Sequence, residues 1–247
     1  MTRYEREIEW IKRDKYNNAP PKAAFKRDLK RLKSGEPVDY IIGFVGFLGC
    51  KIDLRYKPLI PRPESEYWAA KAITQAKARN RRIQVLDMFS GSGCIGLAFA
   101  KNCNCNVDFA DLDKNCLRQI KKNLKINNLK GRVICSDIFK QIKKKYDFIV
   151  ANPPYIPRKN LAKLNRSVRD FEPHKALVSG KMGLEAIRKF LCAVHKYLAP
   201  EGIFYLEFDS WQNKAIQQIA KSNPNIILEI LRDQYGKIRY ARGHLKG

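Results

Sequence analysis

The spacing of apolar and polar positions changes rhythm three times along this chain of 247 residues. Residues 3–16 and 22–33 carry helical spacing, are separated by Pro20 and Pro21, and stop at Gly35, which predicts two short helices. From 38 to 61 (VDYIIGFVGFLGCKIDLRYKPLIP) glycines punctuate apolar and aromatic residues, a pattern that suits a β-hairpin better than a helix. From 65 onward helix and strand patterns alternate: helix 65–79, strand 83–88, helix 93–101, strand 106–111 and helix 114–129. Strands 132–135 and 146–151, helix 183–198, strand 203–208, helix 211–221 and strands 226–232 and 238–242 follow. Within helix 114–129, Leu117, Ile120, Leu124 and Leu129 hold one apolar stripe, and Gly131 is expected to follow its end as a terminator. Such alternation predicts an α/β fold with a mainly parallel sheet covered by helices on both faces. The last two strands, joined by Asp233 to Lys237, should form a hairpin and add one antiparallel strand. The expected organisation is a short helical segment over 1–34, a hairpin linker over 35–64 and one α/β domain over 65–247.

Composition narrows the setting. No run approaches the roughly 18 apolar residues of a membrane span, and the N-terminus MTRYEREIEW is charged where a signal peptide is greasy, so a cytoplasmic protein without membrane contact is expected. Seven cysteines include no C-x-x-C pair, and the close pair Cys103 and Cys105 lacks partners for a metal site. Reduced thiols are expected, with Cys94, Cys116, Cys135 and Cys192 as small core residues. The three histidines, His174, His195 and His244, are scattered along the chain. Against 24 acidic residues stand 49 basic ones, a net charge of +25. That suggests a polyanionic neighbour such as the ribosome or RNA, and a general compositional bias would produce it equally well.

Candidate chemistry collects at the ends of the predicted strands. In an open α/β sheet ligands bind outside the carboxyl ends of the strands. After the first core strand comes Phe89-Ser90-Gly91-Ser92-Gly93, and Gly91, Gly93 and Gly96 spell G-x-G-x-x-G. Glycines let backbone approach a ligand closely, and the following helix N-terminus favours an anion, either a pyrophosphate or the carboxylate of an amino-acid moiety. Asp111 ends the second strand where an acid can meet a ribose diol, while Asp113 suits the N-cap of the next helix. Asp137, past the third strand, is placed to accept from an adenine amino group, with Ile138 and Phe139 against the ring. The fourth strand, YDFIVA, ends in Asn152-Pro153-Pro154-Tyr155. Two prolines end sheet pairing and hold their neighbours in one pose. The Asn152 amide oxygen and the Pro153 carbonyl could then accept both hydrogens of a planar –NH2 group, with the Tyr155 ring on its face. The tetrapeptide alone fits a glutamine amide or a base amine.

With these residues assembled, the chain resembles the class I S-adenosylmethionine methyltransferases, and within them the peptide chain release factor glutamine methyltransferases (the HemK/PrmC family). The resemblance covers about residues 35–242 and rests on Gly35 to Val38, Leu59-Ile60-Pro61-Arg62-Pro63-Glu64, Asp87 to Gly93, Asp111, Ser136-Asp137, Asn152 to Ile156 and Phe171-Glu172-Pro173. It implies a Rossmann-like seven-stranded sheet with one antiparallel strand. It implies S-adenosyl-L-methionine as cofactor, S-adenosyl-L-homocysteine as product, and a class 1 release factor as partner. On this reading Phe89, Ser90, Gly91, Ser92, Gly93, Asp111, Asp137, Ile138 and Asn152 bind the cofactor. Asn152, Pro153, Pro154 and Tyr155 bind the acceptor, with Asn152, Pro153 and Tyr155 catalytic and no metal involved. The expected reaction is methylation of the glutamine amide of the release factor Gly-Gly-Gln loop; the alternatives are a ribosomal-protein glutamine or an RNA or DNA base amine. Arg62 and Glu66 are expected at the mouth of the site or paired with each other, and Glu207 and Asp233 in supporting roles. Two departures stand out: Phe89 occupies a position where the family usually has glycine, and the N-terminal helical portion is short. If Phe89 blocks the cofactor, a binding module that does no chemistry is the expectation instead.

Overall fold

The computed structural model describes residues 1–247. The chain opens with helix α1 (Arg3–Trp10), continued by a π-helical turn to Lys15, and helix α2 (Lys22–Lys33). The predicted hairpin region begins instead as a short helix, α3 (Val38–Ile42), closed by Gly43 in the left-handed conformation. Only then do β1 (Phe44–Phe47) and β2 (Cys50–Asp53) pair antiparallel. The run VDYII is apolar enough for either state, and it turns helical because Tyr40 and Ile41 both face buried surroundings one residue apart.

The α/β portion follows as α4 (Pro63–Lys77), β3 (Ile83–Met88), α5 (Cys94–Asn102), β4 (Cys105–Asp111), α6 (Lys114–Ile126), β5 (Arg132–Cys135) and β6 (Tyr146–Ala151). Residues 157–178, for which the pattern predicts no element, hold a 3₁₀ turn and two short helices, α7 (Arg166–Phe171) and α8 (His174–Leu177). The rest comprises α9 (Glu185–Ala193), β7 (Leu198–Glu207), α10 (Asn213–Lys221), β8 (Ile226–Arg232) and β9 (Ile238–Leu245). Seven strands form one sheet in the order β5-β4-β3-β6-β7-β9-β8, with β9 antiparallel to both neighbours. Strand order reverses between β3 and β6, which places the topological switch point between the glycine-containing turn and the Asn-Pro-Pro-Tyr turn.

Helix α6 ends earlier than its stripe predicts, and not by means of Gly131. Asn128, at φ +53°, takes the left-handed position after the helix. The Asn128 N–H donates to Lys125 O and the Leu129 N–H to Leu124 O, the paired bonds of a Schellman motif. Gly131 serves a packing purpose: a Cβ there would lie 2.4 Å from the Phe109 ring.

Buried side chains fall into one cluster beneath each face of the sheet and a third, of four residues (Ile11, Leu32, Val38 and Ile41), within the N-terminal helices. The hairpin docks on α6 through amides: Asn123 accepts from the Asp53 N–H, Gln119 from Tyr56, and Asn127 from Lys51. All seven cysteines are free; Cys94 is buried as expected and Cys116 half-buried, but Cys135 and Cys192 are exposed. Cys135 ends an edge strand and Cys192 lies on the outward side of α9, where period alone cannot distinguish core from surface. No helix is long and apolar enough to cross a membrane.

Candidate active site

The carboxyl ends of β5, β4, β3 and β6 open onto a cavity of about 730 Å³. Of the nine residues expected to hold a cofactor, Phe89, Ser90, Gly91, Ser92, Asp111, Asp137, Ile138 and Asn152 line it. Gly93 does not: it is the left-handed residue before α5, with its α-carbon turned to Ile120 and Leu97. The third glycine of the motif, Gly96, faces away from the cavity, where a Cβ would lie 2.4 Å from Phe109 and 2.9 Å from Asp87 Oδ2. It lets α5 sit close on the sheet.

Two residues lining the cavity hold backbone conformations that L side chains rarely adopt. Phe89 has φ +59° and Ile138 φ +51°. For bulky or β-branched residues this costs about 1–2 kcal/mol each and is tolerated where the surroundings fix the turn. The turn at position 89 is itself left-handed, a conformation that favours glycine. Phe89 packs partly against the core beneath the sheet, so its ring borders the cavity without sealing it.

Hydrogen bonds fix the acids. Asp111 Oδ2 accepts from the Gly91 N–H at 2.8 Å and Oδ1 from the Asp113 N–H at 2.8 Å, which leaves one lone pair on each oxygen directed elsewhere. Burial raises its pKa, and those two backbone donors oppose the rise. Asp113 caps α6 as expected, accepting from the Asn115 N–H. Asp137 is exposed at the cavity edge. Asp87 lies directly behind the glycine turn, 1% exposed; Oδ2 accepts from the Gly96 N–H and Oδ1 has no partner. Burial holds its carboxyl well above the usual carboxylate range.

Asn152 forms the wall between this cavity and a second one of about 110 Å³, lined by Leu59, Arg62, Pro153, Tyr155, Leu177 and Glu207 among others. Pro154 faces the larger chamber, whereas Pro153 and Tyr155 face the smaller. The Asn152 Nδ2 group donates to Ser65 Oγ at 3.1 Å. The Tyr155 hydroxyl lies 3.4 Å from Glu207 Oε1, and burial followed by the Glu207 charge raises its pKa. The Gln212 Nε2 group donates to the carbonyls of Tyr155 and Gly183, which ties the Asn-Pro-Pro-Tyr turn to the segment before α10.

Arg62 and Glu66 do not pair with each other. Arg62 lines both chambers and bonds to Glu172, which is 4% exposed and also accepts from the Ile60 N–H. Glu66 accepts from the Leu48 N–H at 2.7 Å and belongs to the hairpin contact. The segments containing Arg62 and Glu172, 110 residues apart, thus meet at the mouth of the smaller chamber. Asp233 accepts from the N–H groups of Tyr235 and Lys237 in the β8–β9 turn, a structural role. Arg62 is at the site as expected; Ser65 and Trp68 are the site residues that local pattern does not assign, nor does it pair Arg62 with Glu172. The one available signal is the i, i+3 spacing of Ser65 and Trp68 on a helix that begins beside the site.

The donor set fits an adenosyl cofactor: an acid with lone pairs free for a diol, a second acid at the next strand end, and apolar Ile138 beside it. Cys94 and Cys116 also line the chamber, but burial pushes Cys94 up to about 12 and Cys116 up as well, so both stay thiols. No histidine lines either chamber. No group of three His, Cys, Asp or Glu side chains is placed to hold a metal.

Comparison with known proteins places this geometry. Residues 69–169 match the family described as "Methyltransferase small domain". The release factor glutamine methyltransferase of Thermodesulfovibrio yellowstonii is 35% identical over 84% of this chain and 75% of its own length. That of Streptococcus pneumoniae is 35% identical over 85% and 75%. Among solved structures, a methyltransferase from Pyrococcus furiosus superposes with TM-score 0.62 at 20% identity, covering 90% of this chain and 99% of that one. The Thermus thermophilus 16S rRNA N2 G1207 methyltransferase, in complex with AdoMet and guanosine, superposes with TM-score 0.62 at 16% identity over 82% of this chain and 50% of that one. At these identities the two structures share the fold.

Proposed function

Because the chain belongs to the release factor glutamine methyltransferase family, we propose that it transfers a methyl group from S-adenosyl-L-methionine to a glutamine. The acceptor is the side-chain amide nitrogen in the Gly-Gly-Gln motif of class 1 release factors, and the setting is translation termination in the cytoplasm. The observation that carries this reading is the smaller chamber. Asn152, Pro153 and Glu207, each carrying acceptor oxygens, line it with Arg62 and Tyr155, beside a partition shared with the cofactor chamber. A neutral –NH2 group can donate both hydrogens to acceptors of such a lining.

Phe89 to Ser92, Asp111, Asp137 and Ile138 would hold the cofactor, which supplies an electrophilic sulfonium methyl when bound. The chain's own residues then do the positioning. An amide nitrogen is a poor nucleophile because its lone pair is delocalised into the carbonyl. Asn152 Oδ1 and the Pro153 carbonyl accept its two hydrogens, hold it in line and favour the positive charge that grows on nitrogen. Tyr155, with its hydroxyl directed to Glu207, presents a fixed ring edge or face to the acceptor side chain.

The test is incubation of the purified protein with methyl-labelled cofactor and a release factor. Label should enter the release factor and be lost when its Gly-Gly-Gln glutamine is changed to alanine; label that survives that change refutes the reading. A second reading, transfer to a nucleic-acid base amine, draws on the net charge of +25 and on Arg158, Lys181 and Lys189 around the larger chamber. It requires label that ribonuclease releases.

A further inference from the structure

The direction in which Asn152 presents its amide is set by hydrogen bonds that begin on the buried side of α4. Trp68 is fully buried on α4, with its ring stacked at 6.0 Å on Tyr205 and at 6.3 Å on Tyr240. Its indole Nε1–H, which can only donate, points to Glu207 Oε2 at 2.7 Å. Ser65, also buried and one turn earlier on α4, lies 2.5 Å from the same oxygen. With Oε2 bare, as in the carboxylate or in an acid protonated on Oε1, that oxygen can only accept, so the Ser65 hydroxyl donates to it. Ser65 Oγ then has only lone pairs left to offer Asn152, so the side-chain atom facing it must be the –NH2 group. The amide oxygen is thereby turned toward the acceptor.

We infer that Trp68, Glu207 and Ser65 form a hydrogen-bond relay whose one-way polarity fixes Asn152 with Oδ1 toward the acceptor nitrogen, making Ser65 and Glu207 positioning residues for methyl transfer. The inference rests on the proposed role of Asn152 as the amide clamp. An Asn without this constraint could turn over, present –NH2 to –NH2 and lose the acceptor interaction. The relay works for a Glu207 carboxylate and equally for an acid protonated on Oε1, beside the Tyr155 hydroxyl, because Oε2 stays bare in both. Charge at position 207 is therefore dispensable while polarity is not. Glutamine there can turn its oxygen to Trp68 and Ser65 and its –NH2 to Tyr155.

Two variants test this on the full chain. Ser65→Ala should lower kcat on the order of 10²-fold through the misaligned clamp, with the release factor KM and the cofactor Kd little changed. Glu207→Gln should leave the Asn152 side-chain –NH2 as protected from hydrogen exchange as in wild type. Independently of any substrate, Ser65→Ala should speed hydrogen exchange of the Asn152 side-chain –NH2, followed by ¹H–¹⁵N NMR with ¹⁵N-amide-labelled asparagine. Wild-type turnover in Ser65→Ala, or unchanged –NH2 exchange in it, overturns the relay, as does Glu207→Gln that folds yet exchanges that –NH2 as fast as Ser65→Ala. If the wild-type protein itself does not methylate a release factor, the proposed function fails, and the exchange measurement still decides the relay.

Discussion

Replacing Gly96 by alanine separates two meanings of the G-x-G-x-x-G turn. If the third glycine contacted ligand, the change would weaken cofactor binding and leave stability alone. The structure makes it a packing residue. The added methyl would stand 2.4 Å from Phe109 Cε1 and 2.9 Å from Asp87 Oδ2. Carbon atoms rest at about 3.5–4.0 Å, so α5 and the ring must separate by about 1 Å or more. Phe109 cannot yield, because it is fully buried and its opposite edge is held by Gly131, where a Cβ would also lie at 2.4 Å. Moving α5 instead would stretch the 2.9 Å bond from the Gly96 N–H to Asp87. Overpacking of this kind costs about 2–3 kcal/mol. For a chain of this length that lowers Tm by roughly 4–12 °C. Differential scanning calorimetry of Gly96→Ala beside wild type measures it, with Gly131→Ala as a second pinch on the same ring. A Gly96→Ala protein with wild-type Tm and weakened cofactor binding by titration calorimetry would refute the packing assignment.

Three further outcomes are expected. Asn152→Ala should bind cofactor with nearly wild-type affinity and lower turnover by about 10²–10³-fold, as loss of one preorganised transition-state contact does; single-turnover kinetics with normal rates would contradict the clamp. Asp87 has a folded pKa raised by burial, so between the unfolded value of about 3.9 and the folded one the native state binds more protons and stability falls as pH rises. Asp87→Asn should flatten that fall in a Tm-against-pH series, and an unaltered slope would show that Asp87 is not its source. Phe89→Gly should relieve the φ +59° backbone while removing a partly packed ring, leaving cofactor affinity within about threefold of wild type; a large gain in affinity would mean that the ring obstructs the chamber.

The strand ends were legible because alternation of periods fixes an α/β sheet, and its switch point then says where ligands lie. That brought Phe89 to Ser92, Asp111, Asp137 and Asn152 to one cavity from residue patterns alone. Short apolar runs were not legible: VDYII suits strand or helix, and only the burial of Tyr40 and Ile41 decides it. Gly131 illustrates a related ambiguity. A glycine after a helical stripe reads as a cap, yet Asn128 supplies the left-handed residue, and Gly131 is there for Phe109, on the far side of α6 in sequence. The least legible part was the wiring behind Asn152. The bonds from Ser65 to Glu207 and from Arg62 to Glu172 span 142 and 110 residues, and no local pattern pairs residues at that distance.

The central claim is that the acceptor is a glutamine amide nitrogen in a release factor. Mass spectrometry of the peptide containing the Gly-Gly-Gln motif, after incubation with this protein and S-adenosyl-L-methionine, tests it most directly. The account predicts one added methyl group located by fragmentation on the glutamine side chain, absent when Asn152→Ala replaces the wild-type enzyme. An unmodified glutamine under conditions where the protein binds cofactor, or a methyl group on any other residue, would contradict it.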